Sequence, residues 1–333
     1  MRLRVATLFA IWAILALIVP LTPAAAKQTW TVIAGGGKKD FAVVANAFYP
    51  RSLEIATGDT VTWNIKWFHN VAFLSGGKMP PAEVEEGGKI YLNPQVAFPA
   101  GGREYSGTGY FNSGLPMGRA GEGEPGKPFS YSLTFTKPGQ YSYVCLIHGP
   151  SMGGTVIVKG QAKGSPAAIR NAASKKEAET QRAGERALAN LKVDRMGNNV
   201  VVPLIGRVRD GYSVLRFTRG PLEVRTGTTV TWKMADPFEI HTVTFTSGEK
   251  PPLFILPQPQ AQGPPKLLFN PKAAAPTQTK TYNGRGYVNS GILVPQGAPG
   301  PGSYSLTFTK AGRYEYWCIV HVPEGMKGVI VVR

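Results

Sequence analysis

Alternation of hydroxyl and apolar side chains is the dominant pattern along this chain. Ser130–Thr136 reads Ser-Tyr-Ser-Leu-Thr-Phe-Thr, and Ser303–Thr309 repeats it residue for residue. A period of two turns one face inward and the other to solvent, which predicts strands. Thr60–Trp63 and Thr229–Trp232 are β-branched and aromatic, and each follows a Gly-containing turn; they predict two more. The turns Lys137-Pro138-Gly139 and Lys310-Ala311-Gly312 lead into Gln140–Cys145 and Arg313–Cys318, with tyrosines at alternate positions. Each half ends on a β-branched run, Thr155–Val158 or Val329–Val332. Short strands with regularly spaced turns predict an all-β fold of two Greek-key sandwiches.

The two halves are copies. Thr57–Trp63 (TGDTVTW) recurs as Thr226–Trp232 (TGTTVTW), and Gly109–Gly114 (GYFNSG) as Gly286–Gly291 (GYVNSG). The order is kept while loop lengths drift, as in a duplicated domain rather than a short-period solenoid. The Gly109–Gly114 and Gly286–Gly291 motifs read as turns. Between the copies the alternation stops. From Ser165 and Pro166, an N-cap and first helical position, Ala, Lys, Arg and Glu dominate to Lys192, with Gly184 as a weak point. This predicts a helical, semi-rigid spacer with a thin apolar face. The expected organisation is a signal peptide at 1–26, a first domain at 27–160, a linker at 161–199 and a second domain at 200–333.

The signal follows from Arg2 and Arg4, the uncharged run from Val5 to Val19, and Ala24–Ala26 as a cleavage site; an uncleaved anchor is the alternative. Export disfavours nucleic acid as a partner, although the net charge is +17. The excess is uneven: 12 Lys and Arg against 9 Asp and Glu in 27–160, but 15 against 7 in 200–333. Acidic redox proteins or an anionic membrane surface suit such a balance, and so does a purely solubilising surface.

The chain has four histidines and two cysteines, and the repeat places all six at matching points. His69 and His241 follow the strands that begin at Thr60 and Thr229. Cys145-Leu-Ile-His148-Gly-Pro-Ser-Met152 ends the first copy, and Cys318-Ile-Val-His321-Val-Pro-Glu-Gly-Met326 ends the second. Equivalent positions in separate domains make a disulfide between the cysteines improbable. One thiolate, two imidazoles and a weak thioether form a donor set that both Cu(I) and Cu(II) accept. A lone Cys-x-x-His would be weak evidence; the whole set occurring twice is strong.

Both copies resemble the plastocyanin/azurin, or cupredoxin, family over roughly 41–159 and 205–333, most specifically around Cys145–Met152 and Cys318–Met326. The resemblance implies two type 1 copper ions per chain. His69, Cys145, His148 and Met152 would bind one, and His241, Cys318, His321 and Met326 the other. It also implies an exported electron carrier, periplasmic or extracellular, that docks redox partners through a surface over the solvent-facing His148 and His321. Copper storage, delivery or sensing is the alternative. Catalysis of the nitrite reductase or oxidase kind would need further histidines, and none remain; Glu324 is the one acid within a copper loop. Two Pro/Gly-rich insertions, Gly76–Gly102 and Ser247–Pro276, are left without a role by the sequence.

Overall fold

The structure is a computed structural model that describes residues 26–116 and 128–333. The expected signal peptide lies, but for Ala26, outside the described residues. No helix among those described is long and apolar enough to cross a membrane.

Both copies are built alike. In the first, strand Thr29–Gly37 pairs parallel with Thr60–Ile65, which pairs antiparallel with Phe129–Phe135. In the second, Asn199–Arg207 pairs parallel with Thr229–Ala235, and that with Ser303–Phe308. The facing sheets each hold the cysteine strand: Gly139–Cys145 against Gly149–Lys159, and Gly312–Trp317 against Lys327–Val332. Alternation works as expected, since Val61, Trp63, Ile65, Leu133 and Phe135 are wholly buried while the hydroxyls between them point outward. Thr60 and Thr62 meet Thr134 and Ser132 across the strands at 2.9 Å, and Thr229 and Thr231 meet Thr307 and Ser305 at 2.8 Å. Trp63 and Trp232 centre the two cores, each edge-on to a tyrosine, Tyr143 or Tyr316, at 5.3 Å.

The copies are not separate beads. Tyr212–Val214 pairs with Val43–Tyr49 of the first copy on one side and with Asn199–Arg207 on the other, so one sheet runs through both sandwiches. The insertions make a second junction. Glu83–Glu86 and Lys89–Leu92 form a hairpin, Ile255–Gln258 and Lys266–Phe269 another, and Leu92 and Tyr91 pair with Leu267 and Leu268 to join them.

The linker is a helix, Pro166–Ala189, begun where Ser165 accepts a hydrogen bond from the Ala168 amide. It does more than space the copies. It packs on Thr29–Gly37, Val43–Tyr49 and Tyr212–Val214, burying Ala173, Thr180, Gln181 and Gly184. Gly184 is the point of closest approach: a Cβ there would stand 2.3 Å from Val43 Cγ1. The residue that weakens the helix in isolation is the one that lets it brace the junction.

Candidate metal centres

Each triad assembles from two chain segments. Cys145 ends a core strand and Cys318 directly follows one, each with its histidine three residues on, while the remote histidine comes from the loop after the tryptophan strand. In the first copy Cys145 Sγ lies 3.4 Å from His148 Nδ1 and 3.9 Å from His69 Nδ1, and the two Nδ1 atoms are 3.1 Å apart. In the second, Cys318 Sγ lies 3.3 Å from His321 Nδ1 and 3.7 Å from His241 Nδ1. All six side chains are buried, and both cysteines are free. Met152 and Met326 are fully buried in the same core clusters as Cys145 and Cys318.

The residue after each remote histidine fixes the loop. Asn70 Oδ1 accepts from the Leu146 amide at 2.7 Å, and Thr242 Oγ1 from the Ile319 amide at 2.7 Å. The Thr242 amide points at Cys318 Sγ, 3.3 Å away. The copies differ beyond the cysteine. The shorter first loop enters its final strand directly at Gly149, with a register shift at Val144/Cys145, whereas the second makes a 3-10 turn over Ile319–His321.

Burial opposes a charged thiol, but the imidazoles outweigh it: His148 and His69 hold Cys145 well below the ordinary thiol range, and His321 and His241 do the same for Cys318. Burial also opposes a charged imidazole. It prevails at His69, which is pushed down, while Glu239 and Cys145 push His148 up to about 10. His321 and His241 are raised against the same burial, the first by Cys318 and the second by Asp236.

These residues fit a first-row metal ion. Bonds of about 2.0–2.3 Å to nitrogen and thiolate give a trigonal site edges of roughly 3.5 Å, close to the spacings found. Three potential donor atoms from different residues converge within each buried group, an arrangement that a bound cation would satisfy. One thiolate with two imidazoles selects copper or zinc over the hard cations, and a thioether beside them favours copper.

The surroundings overturn one expectation. His148 and His321 do not face solvent: they are 7% and 2% exposed and face each other across the junction between the copies. Glu239 lies between them, Oε1 3.2 Å from His148 Nε2 and Oε2 3.5 Å from His321 Nε2. Asn46 of the first copy donates to Glu239 Oε1 at 2.8 Å and to Ser213 Oγ at 3.0 Å. Ser213 in turn donates to Asp236, whose Oδ1 also accepts from the Phe238 and Glu239 amides. The other carboxylate oxygen of Asp236 faces His241 Nε2 at 3.7 Å. Trp67 is nearly parallel to both His148 and His321, with centroids 6.2 and 6.0 Å away, and its Nε1 donates to Glu324 at 2.8 Å. Burial raises the Glu324 carboxyl, whereas His148 and His321 hold Glu239 well below the carboxylate range despite its burial. Trp67 sits at φ 60°, a left-handed conformation that costs a non-glycine residue about 1–2 kcal/mol and must be held by its surroundings.

Asp236, Glu239 and Trp67 escaped the sequence reading. A signal for two of them exists: Trp63 to His69 spans six positions and Trp232 to His241 nine, and the longer loop carries both acids. The Gly109–Gly114 and Gly286–Gly291 motifs also prove to be more than turns. Asn112 donates to the carbonyls of Gln95, Val96 and Phe98, and Asn289 to those of Lys272, Ala273 and Ala275, clamping each insertion to the sandwich. Ser113 and Ser290 accept from the Val71 and Val243 amides, two residues beyond the remote histidines.

Residues 207–333 match the family model for copper binding proteins of the plastocyanin/azurin family. Among solved structures, a Cu(I) amicyanin mutant is 22% identical, with 41% of this chain and 85% of that one covered and a TM-score of 0.24. Two reduced amicyanin mutants are 21% identical, covering 42% and 43% of this chain and 87% and 93% of theirs, each with a TM-score of 0.24. No curated protein matches the chain. Residues 207–333, which hold the buried His241, Cys318 and His321, are thus similar to the plastocyanin/azurin family of copper-binding proteins.

Proposed function

We propose that this chain is an exported electron-transfer protein holding two mononuclear type 1 copper ions, one per copy, and that it is not an enzyme. The observation that carries this reading is the recurrence of one buried Cys/His/His arrangement, with matching spacings, in both copies. His69, Cys145 and His148 would hold the first ion and His241, Cys318 and His321 the second, with Met152 and Met326 as the weak axial donors. Copper so bound would cycle between Cu(I) and Cu(II), storing one electron per site. The chain's part is to keep the donors still. Each cysteine is fixed at a strand end, each remote histidine is followed by a residue bonded to the cysteine loop, and burial excludes water. Ligands that move little as the charge changes keep the barrier to electron transfer low.

All four histidines are engaged in the two triads, which leaves no imidazole for an open, substrate-binding copper. Acidic redox proteins, or an anionic membrane surface beside them, suit the basic second half. Because His148 and His321 are buried, such partners would approach elsewhere than directly over those rings. Metal analysis of the purified protein should find two coppers per chain, with an intense blue absorption when oxidised. One copper, or a colourless oxidised protein, would refute the two-centre reading.

A further inference from the structure

The two triads share an environment, and the sharing runs through one residue. Once Nδ1 of each histidine is committed to the triad, the remaining proton of the ring sits on Nε2. In His148 and in His321 that atom points into the junction, and the same carboxylate meets both, at 3.2 and 3.5 Å. Asn46 donates to one oxygen of Glu239, and both Nε2 atoms lie within ion-pair distance of the carboxylate, which offers only acceptors when ionised. Trp67 stacks beside both rings, Phe238 stands edge-on to His148 at 6.4 Å, and His148, Glu239 and His321 are all buried. The loop that delivers Glu239 is pinned by Asp236 and Ser213, and Asn46 reaches it from the other copy.

We propose that Glu239 is an outer ligand common to both metal centres, so that one buried carboxylate sets both potentials and makes the two copies a single redox unit. Outer-shell acceptors on a ligating histidine raise its basicity and fix its ring. Here one acceptor serves two metals. A negative charge in a dry interior favours the more positive oxidised ion, and it does so on both sides at once. An electron held at either centre is therefore separated from the other by His148, one carboxylate and His321. The duplicated fold, the fused sheet and the helix brace would then serve to keep this alignment.

The proposal rests on the reading of both triads as copper sites, and its test keeps the two questions apart. In full-length protein, Cys145→Ala and Cys318→Ala each leave one blue centre, which is titrated alone by visible absorption. Glu239→Gln is then introduced into each background. The expected result is a rise of both potentials, each at least tenfold in the Cu(I)/Cu(II) ratio, which is about 59 mV for one electron. A rise confined to the centre of the second copy, which carries Glu239 in its own loop, or no rise in either, overturns the shared role. Should Glu239→Gln fail to fold, Glu239→Ala removes the same charge with less bulk, and the same paired shift is read. Failure of a single-cysteine protein to bind copper would instead count against the reading of that triad, and without two centres the shared role falls as well.

Discussion

Gly35→Ala should empty the first metal centre and leave the second intact. Gly35 has φ 75°, and a Cβ built on it would stand 2.1 Å from His69 Cδ2, 2.2 Å from Nε2 and 2.9 Å from the Lys66 carbonyl. The imidazole is fully buried and cannot swing into solvent, and Trp67 closes the space beside it, edge-on at 5.5 Å. The ring must therefore leave the position in which its Nδ1 meets the triad. If each triad holds one copper, as proposed, copper content should fall from two per chain to one, with about half the blue absorption lost. The left-handed backbone adds its own penalty of about 1–2 kcal/mol for any residue with a Cβ. Gly227→Ala separates the two effects, because Gly227 has φ 85° but open space around its Cβ position. That control should lose stability and keep both coppers. Equal copper content in the two variants would show that the cradle for His69 is not needed.

The cradle illustrates which parts of this molecule are legible in the chain and which are not. Strands betray themselves through alternation, and the triads through repeated spacing, because both are local patterns or comparisons of one copy with the other. Ser130–Thr136 could be placed as a strand, and Cys145 with His148, from neighbours a few positions away. Gly35 is thirty-four positions from the ring it accommodates, and nothing near it distinguishes it from Gly36 and Gly37. Glu239 is legible only as one of two acids in a longer loop; that it meets His148 depends on how the copies face each other. Glu324, isolated in the sequence, gains its partner, Trp67, across the same junction. The insertions were unreadable for a related reason: each forms a hairpin of its own, but the edge that Leu92 and Tyr91 present is paired only by Leu267 and Leu268 of the other copy. Whatever lies between the copies is set by packing at long range, and this includes the environment of both Cys/His/His triads.

The largest loss of stability should come from the clamp that ties the second insertion to its sandwich. Asn289 is fully buried, and its Nδ2 lies 2.9 Å from the Ala273 carbonyl, 2.8 Å from that of Ala275 and 3.4 Å from that of Lys272. Its Oδ1 accepts from the Thr244 hydroxyl at 2.8 Å. Asn289→Ala deletes both ends of this clamp at once. Buried acceptors left without a donor, and a buried hydroxyl left without an acceptor, cost about 1–3 kcal/mol each, and partial relaxation suggests a loss of about 3 kcal/mol in all. Tyr287 also holds this insertion, through an exposed hydroxyl bonded to the Lys272 carbonyl at 2.6 Å. Water can replace that bond, so Tyr287→Phe should cost less than about 1 kcal/mol. The loss has a direction as well as a size. Thr244 lies three residues after His241, and Ser290 accepts from the Val243 amide, so the strand behind the remote histidine is held by the same motif. In a denaturant titration of Asn289→Ala, blue absorption from the second centre should fade at a lower concentration than that from the first. Fading of both at one midpoint would mean that the two copies unfold as a unit, and a midpoint equal to that of Tyr287→Phe would mean that Asn289 is not the clamp.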